Sequence, residues 1–155
     1  MKVATLGMVV NERGMLLLGE KKRGEIGTGV LAGPGGKLEP GETLEECLMR
    51  ETREEFEIEL DPRSLERRAR LDCYAAGELD FRVHVFFARI RSGEPHETDD
   101  MWHPNWYPLW TPPYERMFEA DRHWMPAFIR EPFVANVHYR SRAKEFDRIE
   151  FLPFE

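Results

Sequence analysis

The chain reads as an α/β protein built on a mixed β-sheet. Three observations point there. Short apolar runs recur with strand periodicity, two segments of helical composition are interleaved with them, and a glycine-dense stretch stands directly before the first helix.

In chain order, Val3 to Val10 is an apolar, β-rich run, and Asn11-Glu12-Arg13-Gly14 is a turn leading to Met15-Leu16-Leu17-Leu18, which predicts a hairpin. Gly24 to Gly36 holds six of the twelve glycines, a density that predicts a loop whose backbone approaches something closely. Thr43 to Phe56 predicts a helix, opened by a capping box of Thr43 and Glu46 and stopped before Asp61-Pro62-Arg63. Arg70 to Ala76 and Phe81 to Ile90 predict two strands joined through Gly77-Glu78. In the second, Phe81, Val83, Val85 and Phe87 alternate with Arg82, His84 and Phe86. Ser92 to Pro104 is polar and acidic, and Trp106 to Leu109 is a short strand. Tyr114 to Arg130 predicts a helix interrupted near Pro126, and Phe133 to Tyr139 with Arg148 to Phe154 a final hairpin.

Composition sets outer limits. The 155 residues fit one domain, 1–155, with no internal repeat or linker; apolar residues are 41% and charged residues 33%, an ordinary globular balance. No apolar run approaches the ~20 residues needed to cross a bilayer, and the N-terminus lacks the pattern of a signal peptide. Cys47 and Cys73 form no metal or redox spacing and are expected as reduced thiols in a cytoplasmic protein. The formal net charge of −7 argues against a nucleic-acid polymer as partner, which would require a basic face. It leaves room for a polyphosphate bound through divalent cations.

The first helix carries the chemistry. Leu44, Leu48, Thr52 and Phe56 form its core stripe. Glu51, Glu54 and Glu55 lie on an adjoining face, within about 100° of one another. A glutamate-rich helix is usually just solvated. Here the preceding glycine loop and the offsets of Glu42 and Arg50 favour a different reading: like charges this close destabilise the helix unless a hard cation sits among them. Arg50 can reach Glu46 or Glu54, or fold back to Glu42, and so help hold the carboxylates.

The segment Gly36-KLEPG-Glu42-TLEECLM-Arg50-Glu51-Thr52-Arg53-Glu54-Glu55-Phe56-Glu57-Ile58 resembles the Nudix box, G-x5-E-x7-R-E-U-x-E-E-x-G-U, where U is bulky and apolar. Gly36, Glu42, Arg50, Glu51, Glu54, Glu55 and Ile58 match. Thr52 replaces an apolar residue, and Glu57 replaces the glycine that caps the helix, which is expected to alter how the helix ends. The resemblance implies a Nudix-type α/β/α sandwich with a loop-helix motif. It also implies Mg²⁺ (Mn²⁺ substituting) held by Gly36, Glu51, Glu54 and Glu55, and catalytic roles for Glu54, Glu55 and Arg50. An acid in the later polar loop often supplements the box in this family, which makes Glu97 a further candidate ligand.

Outside the box, Lys21-Lys22-Arg23-Gly24, Val83-His84-Val85-Phe86, Glu97-Thr98-Asp99-Asp100-Met101 and Trp124-Met125-Pro126 resemble the oxidised-purine nucleoside triphosphatases. This implies hydrolysis of a nucleoside triphosphate such as 8-oxo-dGTP to monophosphate and pyrophosphate, with Thr5, Arg23, Lys37, Phe118 and Asp121 at the substrate. Phe118 stands where those enzymes have tryptophan, Ala120 where they have a second aspartate, and Ala32 where they have asparagine. With two polar base readers missing, broader or shifted specificity is expected. Other readings are a Nudix hydrolase of a nucleotide sugar or dinucleoside polyphosphate, and a nucleotide-sensing module without turnover. Simple core packing is the competing account of Phe118 and Trp124.

Other motifs fail. Gly27-x-Gly29-x-x-Ala32 is followed by Gly33-Pro34 where a dinucleotide fingerprint needs a helix to open, and Gly36-Lys37 lacks the rest of a P-loop. His96, Glu97, Asp99, Asp100 and His103 lack helical zinc spacing.

Overall fold

The computed structural model describes all 155 residues. Its elements are β1 (Lys2–Val9), β2 (Met15–Lys21), β3 (Leu31–Ala32), β4 (Gly35–Lys37), α1 (Leu44–Phe56), β5 (Glu59–Leu60), β6 (Glu66–Ala75), β7 (Glu78–Ala88), β8 (Ile90–Ser92), β9 (Met101–Pro108), α2 (Asp121–Arg130), β10 (Phe133–Ser141) and β11 (Lys144–Pro153). A six-stranded sheet runs β11-β10-β6-β7-β1-β4, beside a three-stranded sheet β3-β2-β9 and a two-stranded β5-β8. The large sheet is mixed: β1 pairs with β7, and β10 with β6, in parallel, while its other pairings are antiparallel.

Alternate residues of the apolar strands enter two different cores. Met8, Leu16, Leu18 and Val85 pack with Trp124 and Phe128 of α2. Val9, Leu17 and Phe86 pack with Leu48 and Phe56 of α1. The two helices therefore cover opposite faces, and strands buried on both faces read as nearly continuous apolar runs. This explains Phe86, which stands on the polar side of the expected alternation yet is buried.

Several expectations shift. The glycine stretch contains two short strands, β3 and β4, and is not wholly loop. The turn between β6 and β7 is Ala76-Gly77, and both residues adopt positive φ. Trp106 to Leu109 is the end of a longer strand, β9. Tyr114–Arg116 is a separate 3₁₀ turn, and the helix begins at Asp121 and runs through Pro126 to Arg130. Pro126 is the sixth of the ten helical residues, past the first turn, so the helix runs through it at the cost of the bond its N–H would have made to the Arg122 carbonyl.

α1 starts as its sequence predicts: the Thr43 hydroxyl accepts from Glu46 N–H, and the Glu46 carboxylate accepts from Thr43 N–H. The Thr52 hydroxyl donates to the Leu48 carbonyl at 2.6 Å, so a polar residue on the core stripe leaves nothing unpaired. Contrary to expectation, Glu57 does not change the helix end. It adopts the left-handed conformation itself (φ 59°, ψ 37°), and its N–H closes on the Arg53 carbonyl.

Holding a non-glycine residue there costs of order 1–2 kcal/mol. Glu57→Gly should therefore stabilise the fold by about 1 kcal/mol, raising the melting temperature by about 2–4 °C for a chain of this size. Thermal melts of the two proteins check this, and an unchanged or lower midpoint counts against strain at Glu57.

Candidate active site

The site is assembled on backbone that only glycine permits. β4 lies antiparallel to β1, with Gly36 opposite Thr5. A Cβ on Gly35 would stand 2.1 Å from the Thr5 carbonyl oxygen, and one on Gly36 would stand 2.4 Å from Glu51 Cδ. A Cβ on Gly27, where φ is +76°, would meet the Phe118 ring at 2.2 Å. The close approach expected of this stretch thus has three partners: the neighbouring strand, a box carboxylate and an aromatic wall.

α1 presents its carboxylates to this backbone. Glu55 is buried and accepts from Gly35 N–H at 2.9 Å. Arg50 grips Glu42 with two nitrogens, Nε to Oε2 at 2.6 Å and Nη2 to Oε1 at 3.0 Å. Its Nη1 donates to Glu51 at 2.9 Å and lies 3.4 Å from Glu54, while Nη2 also donates to the Lys37 carbonyl at 3.2 Å. Of the partners open to Arg50, Glu42 and Glu54 are used, and Glu46 is taken by the capping box. Beneath, Cys47 Sγ lies 3.3 Å from Thr5 Oγ1 and 3.5 Å from the Gly36 carbonyl, which fills the space under the loop.

The electrostatics are those of anions short of compensation. Burial pushes Glu55 up to about 8, against the lowering effect of the Gly35 N–H; Glu51 and Asp100 add repulsion, and Lys21 opposes it. Burial also raises Glu51, with Arg50 opposing and Glu54 and Asp100 adding repulsion. Lys21 is itself held below its usual range by burial. In contrast, Arg50 holds Glu42 down at about 2. Glu51, Glu55, Asp100 and the Gly36 carbonyl offer only hard oxygen donors, and a divalent cation would relieve their repulsion, so these residues fit a Mg²⁺-type ion. By themselves no three acidic, histidine or cysteine side chains close into a ligand set.

A cavity of about 380 Å³ runs from Glu51, Glu55 and Asp100 to Trp124 and Tyr139 at the other core. Thr5, Arg23, Gly36, Lys37, Phe118 and Asp121 all border it. Phe118 is half-buried, with Lys21 Nζ 5.8 Å from its ring centre, so it is a wall and not core filling. Trp124 is buried in the core and also borders the cavity; its Nε1 donates to Asp121 at 2.9 Å. Asp121 is pushed up to about 7 by burial, against the Trp124 and Phe118 N–H groups. Ala32 and Ala120 line the same space.

Two expected ligands stand apart from the cavity wall. Glu54 is half-exposed on the solvent side of α1. Glu97 is also half-exposed; it accepts from His103 N–H at 3.1 Å and sits 3.8 Å from Lys22 Nζ. Asp100, three residues on, borders the cavity instead. Sequence reasoning passed over Asp100 and Lys21. For Lys21 a signal existed: it shares strand parity with Leu17 and Gly19, both of which face α1 through Phe56.

A family model described as the NUDIX domain matches residues 1–128. The chain belongs to the NUDIX family. It is 37% identical over 131 residues to the oxidized purine nucleoside triphosphate hydrolase of Danio rerio and 32% identical over 130 residues to that of Mus musculus. In both cases 84% of this chain and 81% of the relative are covered. Among solved structures, a MutT NUDIX hydrolase from Burkholderia pseudomallei is similar at TM-score 0.69 and 28% identity, over 81% of this chain and 95% of that one. A MutT protein from Bacillus halodurans shares the fold at TM-score 0.71 and 20% identity, over 97% of each. The box in this member of the family is thus a glycine strand clamped between β1 and the carboxylate face of α1.

Two outcomes follow. Arg50→Lys keeps the charge but loses the fork that holds Glu42 and Glu51 together. Loss of a partner that orients ligands typically costs about 10–100-fold in metal affinity or activity, and that range is expected in a metal-titrated assay, with a near-native melt. Asp121, ionising near 3.8 when unfolded and near 7 when folded, should cost stability progressively as pH rises from about 4 to about 7, with the penalty complete above that. Asp121→Asn removes the penalty, so its stability advantage over the parent should grow across that window and level off. Urea melts between pH 4.5 and 8 measure it, and a pH-independent difference contradicts the burial argument.

Proposed function

We propose that this protein is a Nudix pyrophosphohydrolase that adds water across a phosphoanhydride of a nucleoside triphosphate, releasing the monophosphate and pyrophosphate, with an oxidised purine such as 8-oxo-dGTP as substrate. The observation that carries this reading is the continuity of one cavity. Its outer end is the carboxylate face of α1, and its inner end is walled by Phe118 with Asp121 behind it. A triphosphate and an aromatic base, joined by a sugar, have the same order of parts. The volume lies within the range of about 300–1,000 Å³ usual for small-molecule sites.

Glu51, Glu55, Asp100 and the Gly36 carbonyl would hold Mg²⁺, or Mn²⁺ in its place. When bound, the ion neutralises phosphate charge and makes a water acidic enough to attack phosphorus. Asp100 takes the ligand role expected of Glu97, because it borders the cavity and Glu97 does not. Glu55 is tied to Gly35 N–H and suits a fixed ligand, whereas Glu54, half-exposed beside Arg50, can take the proton of the attacking water and pass it to solvent. Arg50 keeps Glu51 and Glu54 apart from free rotation. Arg23, Lys37 and Lys21 supply positive charge along the phosphates. Phe118 offers a face on which a base stacks. Thr5, at the floor, keeps the loop seated. Mean composition and two free cysteines suit a reducing, cytoplasmic setting, and no helix is long and apolar enough to cross a membrane.

The deciding experiment is a Mg²⁺-supported panel of 8-oxo-dGTP, 2-oxo-dATP, ordinary nucleoside triphosphates, ADP-ribose, nucleotide sugars and dinucleoside polyphosphates, with products identified. Turnover of nucleoside triphosphates to monophosphate and pyrophosphate is expected. Preference for a nucleotide sugar or dinucleoside polyphosphate would reassign the substrate, and hydrolysis of none would leave a nucleotide-sensing module. Glu54→Gln should lower kcat by about 10²–10⁴-fold, the usual contribution of a positioned base, with nucleotide binding retained. A variant as fast as the parent removes Glu54 from the chemistry.

A further inference from the structure

The inner end of the cavity is apolar apart from a small polar group that the box does not explain. Tyr139 on β10 is 6% exposed and borders the cavity together with Ala120 and Asp121. Its hydroxyl oxygen accepts from Ala120 N–H at 3.0 Å, which fixes the phenol one residue from Asp121. No protein acceptor takes the phenolic proton. A buried hydroxyl with an undonated proton beside a ligand cavity is costly unless the ligand accepts it. Asp121 borders the same cavity; its Oδ1 takes the Trp124 N–H, and the carboxyl keeps lone pairs for a ligand.

Resting on the reading that this cavity holds the base, we propose that Tyr139 is a specificity-determining residue. Its hydroxyl donates to a carbonyl oxygen of the base while Asp121 accepts the neighbouring N–H, so the pair reads a lactam edge, O=C–N–H. The backbone N–H of Ala120 is what aims the phenol, so the small side chain at position 120 still contributes. Among base edges with adjacent donor and acceptor, the lactam offers a stronger acceptor for a phenol than the ring nitrogen of an amidine edge, and a more polarised N–H for a carboxyl. Such an edge occurs on purines at C6 and N1 of a 6-oxopurine, at C8 and N7 of an 8-oxopurine, and at C2 with a neighbouring ring N–H of a 2-oxopurine. With Ala32 and Ala120 bringing no polar side chain, discrimination falls on this pair.

The test uses substrates that carry the edge at one place only. The full-length protein and Tyr139→Phe are assayed with dITP (C6 lactam), 8-oxo-dATP (C8 lactam) and dATP (neither). The parent should favour at least one lactam substrate over dATP, which tells which edge is read. Tyr139→Phe should lose about ten-fold in kcat/KM on that substrate, as expected for one hydrogen bond to a base, with dATP changing less than about three-fold. A second measurement needs no variant: the parent should bind the monophosphate of the favoured base at least about five-fold more tightly than dAMP. Equal losses on all three substrates, no loss on any, or a parent that prefers dATP overturns the tyrosine assignment while leaving the hydrolase reading intact. Failure of the parent to hydrolyse any nucleoside triphosphate overturns both.

Discussion

Everything in the site depends on one repulsion and how it is contained. Glu51, Glu54 and Glu55 lie within about one helical turn, and Asp100 is brought to the same place from another loop. Left alone, these charges would splay the side chains into solvent and weaken α1. Arg50 prevents it by spanning Glu42, Glu51 and Glu54 at once, a task that needs the planar fork of a guanidinium and not the point charge of a lysine. The Gly35 N–H holds Glu55 from the other side. The carboxyls are thus fixed in place, while burial first, and their mutual repulsion after it, leave Glu51 and Glu55 raised above their ordinary range. A site in that condition is prepared for a cation.

The sheet supplies the second constraint. Because β1 is parallel to β7 on one side and antiparallel to the short β4 on the other, Thr5 becomes the hinge between core and loop, opposite both His84 and Gly36. Glycines let β4 lie so close that the Glu51 carboxyl rests where a Cβ would be. The carboxylate end of the cavity and its aromatic end then face different cores, one under α1 and the other under α2. The cavity between them is lined from both layers, so both helices contribute to one site.

What could be read from the sequence follows from how far apart the interacting residues are. The box is local: Thr43 with Glu46, Arg50 with Glu54, and the core stripe of α1 are all fixed by helical spacing, and the structure keeps them. Arg50 and Glu42 are also near in sequence, though the choice between Glu42, Glu46 and Glu54 was settled only by the capping box claiming Glu46. Asp100 was not legible, because loop residues have no period, and nothing in Glu97-Thr98-Asp99-Asp100 tells which acid faces inward. The turn is set by the Thr98 hydroxyl, which donates to the Glu55 carbonyl and accepts from the Asp100 N–H. Glu57 teaches a related lesson. Replacing a cap glycine was expected to disturb the helix end, yet Glu57 adopts the left-handed conformation and its N–H still closes on the Arg53 carbonyl.

The aromatic end of the cavity is organised on a different principle from the carboxylate end. At the carboxylate end, acidic groups are concentrated and only partly offset by Arg50 and Lys21. At the aromatic end, charge is scarce: burial pushes Asp121 up to about 7, and Tyr139 keeps a proton that no protein acceptor takes. Burying such groups lowers the stability of the free protein. Ordinary core packing offers no return for that loss, since leucine or phenylalanine would fill the same volume with none of the cost. Polar groups kept at a loss on the wall of a cavity are explained by a ligand that completes them, and the identity of that ligand is set by the direction of their hydrogen bonds.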